Sequence, residues 1–175
     1  VINPFSYVGG MLTSRLGADG SYNLAYGLDW IWRARGDDYF TLQWAQTFQD
    51  GAANRAFSLD SSRFAFMFER RTTRGFGTTL RFARVGPEFD PGMGFMMFEN
   101  YTAFYTRTLF GWFPGQGSAL ANHDAFAEAR LYWDNATRRL TFAEIGPGWE
   151  FSAKSGFGGR VWPKVNIEDL DEPYE

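Results

Sequence analysis

Few side chains in this chain are equipped for chemistry, and they stand apart from one another. A single histidine, His123, is the only ordinary imidazole base. No Gly-x-Ser-x-Gly elbow, His-x-x-x-His pair or phosphate loop accompanies it. Beside Asp124, near the start of a strand, it reads as a surface or interfacial residue. Glu88 and Asp90 flank Phe89 within a block rich in glycine and proline. With loop carbonyls the two carboxylates resemble a cation site, but the plainer expectation is a turn whose acids satisfy local backbone donors. As a glycosidase pair they lack a substrate cleft. Arg70, Arg71 and Arg74, with Arg81 and Arg84, form the densest basic cluster. Arginine pairs phosphate bidentately, so lipopolysaccharide or an anion-attracting pore mouth is one reading. A hairpin end at a bilayer interface uses basic residues in any case. Trp112 and Phe113 suit sugar stacking or, more simply, an interfacial aromatic belt. No catalytic residue, metal site or cofactor is assigned.

The elements that would carry these residues are strands. From Tyr22 onward every second residue is large and apolar: Tyr22, Leu24, Tyr26, Leu28, Trp30, Trp32, then Phe40, Leu42 and Trp44. Alternation of period two sends successive side chains to opposite faces of a pleated chain. The intervening positions hold Asp29, Arg33 and Gln43. Similar alternation returns in Phe64, Phe66 and Phe68, and in Phe76, Leu80 and Phe82. From Phe95 to Phe110, Met97, Tyr101, Ala103, Tyr105 and Leu109 form the expected apolar face. Ala125 to Trp133 alternates against Asp124, Glu128 and Arg130. A strand over Arg55–Arg71 requires a bulge near Asp60-Ser61-Ser62, because Phe57 and Leu59 are out of phase with Phe64, Phe66 and Phe68. Arg139–Phe151 and Phe157–Ile167 complete roughly nine strands, with short hairpin connections of similar length on both sides. The rigid block Gly86, Pro87, Glu88, Phe89, Asp90, Pro91, Gly92, Gly94 interrupts them as a structural loop.

Composition narrows the solvent. Of 175 residues, 19% are aromatic, with Phe 19, Tyr 8 and Trp 7, more than a water-soluble domain normally needs and typical of barrel walls. A mean hydropathy of −0.34 is no objection, since alternating strands average out. With 17 basic and 20 acidic residues there is no bias towards nucleic acid. Cysteine is absent, which excludes disulfides and thiolate metal ligands. No apolar run reaches the roughly 18 residues of a transmembrane helix.

Several segments resemble one family. AYGLDWIW (Ala25 to Trp32), LQWAQTF (Leu42 to Phe48), VGPEFDPGMGF (Val85 to Phe95) and GPGWEF (Gly146 to Phe151), with the closing EDLDEPYE (Glu168 to Glu175), are similar to bacterial envelope proteins of unknown function. These join an N-terminal carbohydrate-binding-like β-sandwich to a C-terminal outer-membrane β-barrel. The glycine-and-proline block is the most specific echo. Phe95, Met96, Met97 and Phe98 stand where such proteins often carry arginines, so the resemblance lends the loop no charge-based role. It implies a late part of the barrel, and no catalytic motif comes with it.

The expectation is therefore an all-β chain, an antiparallel up-and-down meander forming part of a transmembrane β-barrel. Residues 1–175 are expected to be wall, incomplete at both ends, because an odd strand count leaves open edges that lipid does not tolerate and VINPFSYVGG lacks the marks of a signal peptide. Asp29, Arg33, Gln43, Arg81 and Glu128 are expected to line the lumen. Tyr22, Leu24, Tyr26, Leu28, Trp30, Trp32, Phe40, Leu42, Trp44, Phe64, Phe66 and Phe68 are expected to face lipid. The expected role is a pore, conduit or anchor in a bacterial outer membrane, without catalysis. Its partners would be outer-membrane lipids, including lipopolysaccharide, and other envelope proteins, with no nucleic acid. The alternative is a soluble or surface β-barrel or sandwich that binds a saccharide or lipid through its aromatics. A third reading packs the aromatic face against partner proteins.

Overall fold

The computed structural model describes residues 4–52, 54–94 and 98–169. Within them there is no helix, only ten strands in one antiparallel meander: β1 (Tyr7–Leu16), β2 (Tyr22–Arg35), β3 (Asp38–Gln49), β4 (Ser62–Arg70), β5 (Gly75–Val85), β6 (Tyr101–Trp112), β7 (Leu120–Asp134), β8 (Leu140–Ala153), β9 (Gly158–Val161) and β10 (Val165–Glu168). Each strand pairs with its neighbour in sequence through β8, and both β9 and β10 lie along the outer side of β8. The sheet is not closed: among the described residues β1 pairs only with β2.

The last two strands occupy one position. Trp149 faces Val161 and Ile145 faces Val165, four residues apart on both sides of the ladder, so the register is unbroken across Trp162-Pro163-Lys164. Pro163 falls opposite Pro147 there, and neither has an N–H to give to the ladder. The expected single strand over Phe157–Ile167 is thus split by a pair of prolines, leaving nine strand positions across the sheet.

Cross-strand partners share a face, and the register sorts the side chains accordingly. The face that begins with Tyr22 to Trp32 continues through Phe40, Leu42 and Trp44, then Phe64, Phe66 and Phe68. It passes on to Phe82 and Leu80, Phe104, Thr106 and Phe110, Ala125 to Leu131, and Ile145 with Trp149. The expected phase of β6 is reversed. Phe104, paired with Phe82 and Leu131, carries the apolar face, whereas Tyr101, Ala103 and Tyr105 join the polar one. Internal alternation in β6 is ambiguous because both faces hold rings; only its neighbours decide. Met97 lies outside the described residues.

The two ends of the sheet differ. One end, the tight-turn end, has connections of two to seven residues, 36–37, 71–74, 113–119 and 154–157; the other has connections of five to fifteen, 17–21, 50–61, 86–100 and 135–139. The lengths are therefore not similar. No strand or bulge forms over residues 55–61: β4 begins at Ser62, and Phe57 adopts a left-handed φ of 62°. That segment folds back over the apolar face instead, setting the Phe57 ring on Trp44 at 5.7 Å. Gln46 anchors it, fully buried, its Oε1 accepting from the Phe57 N–H (2.8 Å) and from the Tyr26 hydroxyl (3.2 Å).

Candidate functional site

The chemistry of this sheet is concentrated on its polar face. All five expected lumen residues lie there: Asp29 opposite Gln43, Arg33 opposite Tyr39, Arg81 between Met67 and Tyr105, and Glu128 between Arg107 and Gly146. They do not form one cluster. Asp29 and Gln43 sit on β2 and β3, while Arg33 stays near the tight turn, paired with Asp37 at 3.5 Å and lying over Phe5.

Glu128 belongs to a dense network from β6 to the segment after β9. Its carboxylate accepts from Arg130 at 2.7 Å and from Arg160 at 2.9 Å. Glu144, directly opposite Arg130, is paired with Lys164 and lies 3.7 Å from Arg130. Arg107 reaches Glu150 at 3.0 Å and Asp124 at 3.5 Å. Phe126 is buried between the Arg107 and Arg160 guanidiniums, at 4.4 and 4.5 Å from its ring. Two glycines make room. A methyl group on Gly148 would meet the Phe126 ring at 2.1 Å, and one on Gly146 would meet the Pro163 carbonyl at 2.1 Å. Trp162 closes the patch, its indole N–H donating to the Gly146 carbonyl at 3.3 Å.

Glu128 and Glu144 are 3% and 6% exposed, although their neighbours are long arginines and a lysine on a nominally wet face. Those side chains lie along the sheet and exclude water with their stems and flat heads. Buried carboxylates stay charged only where cations meet them. Four acids (Asp124, Glu128, Glu144, Glu150) therefore balance four bases (Arg107, Arg130, Arg160, Lys164). Such an array holds β6 to β9 and the segment after β9 together and presents alternating charge; every carboxylate in it is engaged by a cation. Sequence reading singled out Glu128 alone, since the rest of the network comes from β6, β8, β9 and the segment after it as well as from β7, and only the register brings them together.

The remaining candidates separate. His123 is on the apolar face, stacked on Trp112 at 5.1 Å and accepting from the Trp149 N–H at 3.4 Å. Asp124 points to the opposite face. Trp112 thereby joins a run of rings at the tight-turn end, with Phe110, Trp149, Phe151 and Phe157. The basic cluster does not assemble. Arg70 binds Asp38 and Arg71 binds Glu69 at the tight-turn end. Arg84 is on the apolar face at the opposite end, donating to the Leu59 carbonyl, and Arg81 is on the polar face.

The loop from Gly86 to Gly94 folds over the polar face and buries Phe89. Its local donors and acceptors are met by backbone carbonyls, such as those of Asp60 and Ser62, and by side chains of the sheet, not by its own acids. Asn23 donates to the Asp90 carbonyl at 2.9 Å and accepts from the Gly92 N–H at 3.0 Å. The Thr47 hydroxyl lies between the Asp90 N–H (3.3 Å) and the Glu88 carbonyl (3.4 Å). The Glu88 carboxylate faces solvent, and among the described residues no three His, Cys, Asp or Glu side chains are grouped to hold a metal.

No protein-family model matches the chain, and neither does any curated protein or solved structure. The reading of its function rests on the geometry.

Proposed function

We propose that this sheet is part of the wall of an outer-membrane β-barrel serving as a pore, conduit or anchor. The observation that supports it is the sorting of side chains. Charges away from the strand ends, from Asp29 to Arg160, fall on one face, while the other carries exposed apolar groups from β1 to β10. Leu28 and Ile145, in the middle of it, are 58% and 50% exposed, and Phe76 near its tight-turn end is 50% exposed. A monomer in water rarely shows so large an apolar surface; hydrocarbon accepts it. Strands β1 to β8 run from nine to fifteen residues, and a tilted strand needs roughly 9–11 to cross a bilayer. The run of rings at the tight-turn end suits a membrane interface.

The loops supply an orientation. Outer-membrane barrels keep short turns on the periplasmic side and longer loops outside, which puts residues 50–61 and 86–100 outside. Arg70, Arg71 and Arg74 then lie at the inner leaflet, beside phospholipid headgroups and away from lipopolysaccharide. Function in this reading is passive, with the polar face setting selectivity by charge and width.

Expression with and without detergent tests the reading. Extraction only in detergent and heat-modifiable migration in a mild-detergent gel are expected. Monodisperse protein in plain buffer would overturn it and leave a soluble binding module as the better account.

A further inference from the structure

The polar face also contains an open trough that meets the ion network only at Arg130. Ala83 and Ala103, directly paired, form its floor, and its volume is about 380 Å³. One wall is the row Arg81, Tyr105 and Arg130, successive cross-strand partners on β5, β6 and β7. The other is Tyr101 against Tyr132, ring centroids 5.8 Å apart. Tyr101 and Tyr105 are four residues apart on one strand, about 13 Å between Cα atoms. The alanine between them leaves a slot as wide as a single six-membered ring.

The charge in the slot is unbalanced. Arg130 is shared with Glu128 and Glu144, but Arg81 has no carboxylate partner among the described residues. Its Nε donates only to the Met67 sulfur, at 3.1 Å, and its guanidinium lies 5.6 Å from the centre of the Tyr105 ring. No acidic side chain lines the trough. An unpaired guanidinium recognises a carboxylate through its fork of donors. The tyrosine rings offer faces to a flat or saturated ring, and their hydroxyls offer hydrogen bonds to a polyhydroxylated one.

We propose that this trough is a binding site for a single-ring sugar acid. The carboxylate sits on Arg81, the ring lies over Ala103 against Tyr105, and the hydroxyls reach Tyr101 and Tyr132. The site requires only that the polar face be wet, so it stands independently of the barrel reading.

Saturation-transfer NMR on the full chain, in detergent micelles or in buffer as solubility dictates, tests it with D-glucuronate as probe and D-glucose and benzoate as comparisons. Transfer to the glucuronate ring protons is expected, with none to glucose at equal concentration and weaker transfer to benzoate. R81Q should weaken glucuronate binding by about tenfold or more, the worth of a charge-assisted pair, while R35Q leaves it unchanged. A103L fills the slot without altering charge and should abolish binding in a protein whose far-UV circular dichroism is unchanged. No transfer to glucuronate, equal transfer to glucose, tighter binding of benzoate, or a bound probe indifferent to both R81Q and A103L would each overturn the proposal.

Discussion

Replacing Glu128 by glutamine keeps the side chain's shape and removes its charge, which isolates what the ion network contributes. In the wild-type protein the carboxylate is 3% exposed and accepts two guanidinium hydrogen bonds, at 2.7 and 2.9 Å. Charge-assisted bonds contribute roughly 1.5–3 kcal/mol each. Two corrections reduce the sum. Arg130 and Arg160 are 45% and 36% exposed, so water still solvates them and about half the pairing energy is screened. The amide oxygen also retains one acceptor role. E128Q is therefore expected to lose about 2 kcal/mol, more than exposed pairs are worth and less than a fully buried charge left alone. Urea unfolding followed by tryptophan fluorescence measures it, and with a slope of about 2 kcal/mol per molar the midpoint falls by about 1 M. Combining E128Q with R160Q should cost less than the two separate losses added together, since Glu128 is the only carboxylate paired with Arg160 among the described residues. A midpoint within error of wild type, or a loss no larger than that of D38N at the exposed Arg70–Asp38 pair, would refute the view of the network as a water-excluding array on the sheet.

Three further outcomes are expected. G146A places a methyl group 2.1 Å from the Pro163 carbonyl and 2.9 Å from the Lys164 Cα. Backbone must move, at a cost of about 1–3 kcal/mol, and trypsin should cut after Lys164 faster than in the wild type. Because the chain contains no cysteine, single replacements report orientation cleanly. If the proposed orientation holds, S58C reacts with an impermeant maleimide on intact cells while Q116C does not, and the reverse pattern would invert it. In the 17–21 turn, Asp19 accepts from the Ser21 hydroxyl and N–H, which lowers its carboxyl below the ordinary range. A depressed folded value means this turn is supported above the unfolded carboxylate pKa and loses that support as pH falls through the folded one. NMR titration of the Asp19 carboxyl should show it, and D19N should abolish the acid dependence of the neighbouring amides.

How much of this was legible in the sequence depends on whether information is local. The twelve residues from Tyr22 to Phe68 expected on one face are all there, because period two needs no partner to be read. The polar positions were equally visible one by one. What joined them was not: nothing in the order of residues says that Arg160 meets Glu128 or that Lys164 meets Glu144, since register across three strands decides it. The phase of β6 failed for the same reason, with Phe104 and Tyr105 equally plausible on either face until Phe82 and Leu131 are placed beside them. Arg55–Ser61 looked strand-like from Phe57 and Leu59 alone. Gln46 takes the Phe57 N–H instead, and a contact across eleven residues outweighs local pattern.

The paired prolines at the last strand position give the sheet two unlike edges. Along the ten residues of β1, every second one turns its N–H and C=O outward, in one uninterrupted row. At the other edge the row comes in two pieces of four, with Pro163 and its neighbours between them. An incoming strand can zip along the first edge without a pause, whereas on the second it finds two short footholds divided by a notch. Growth of this sheet is therefore expected to be seeded from β1, and a backbone that must mate with the β9–β10 edge needs an irregularity of its own to match.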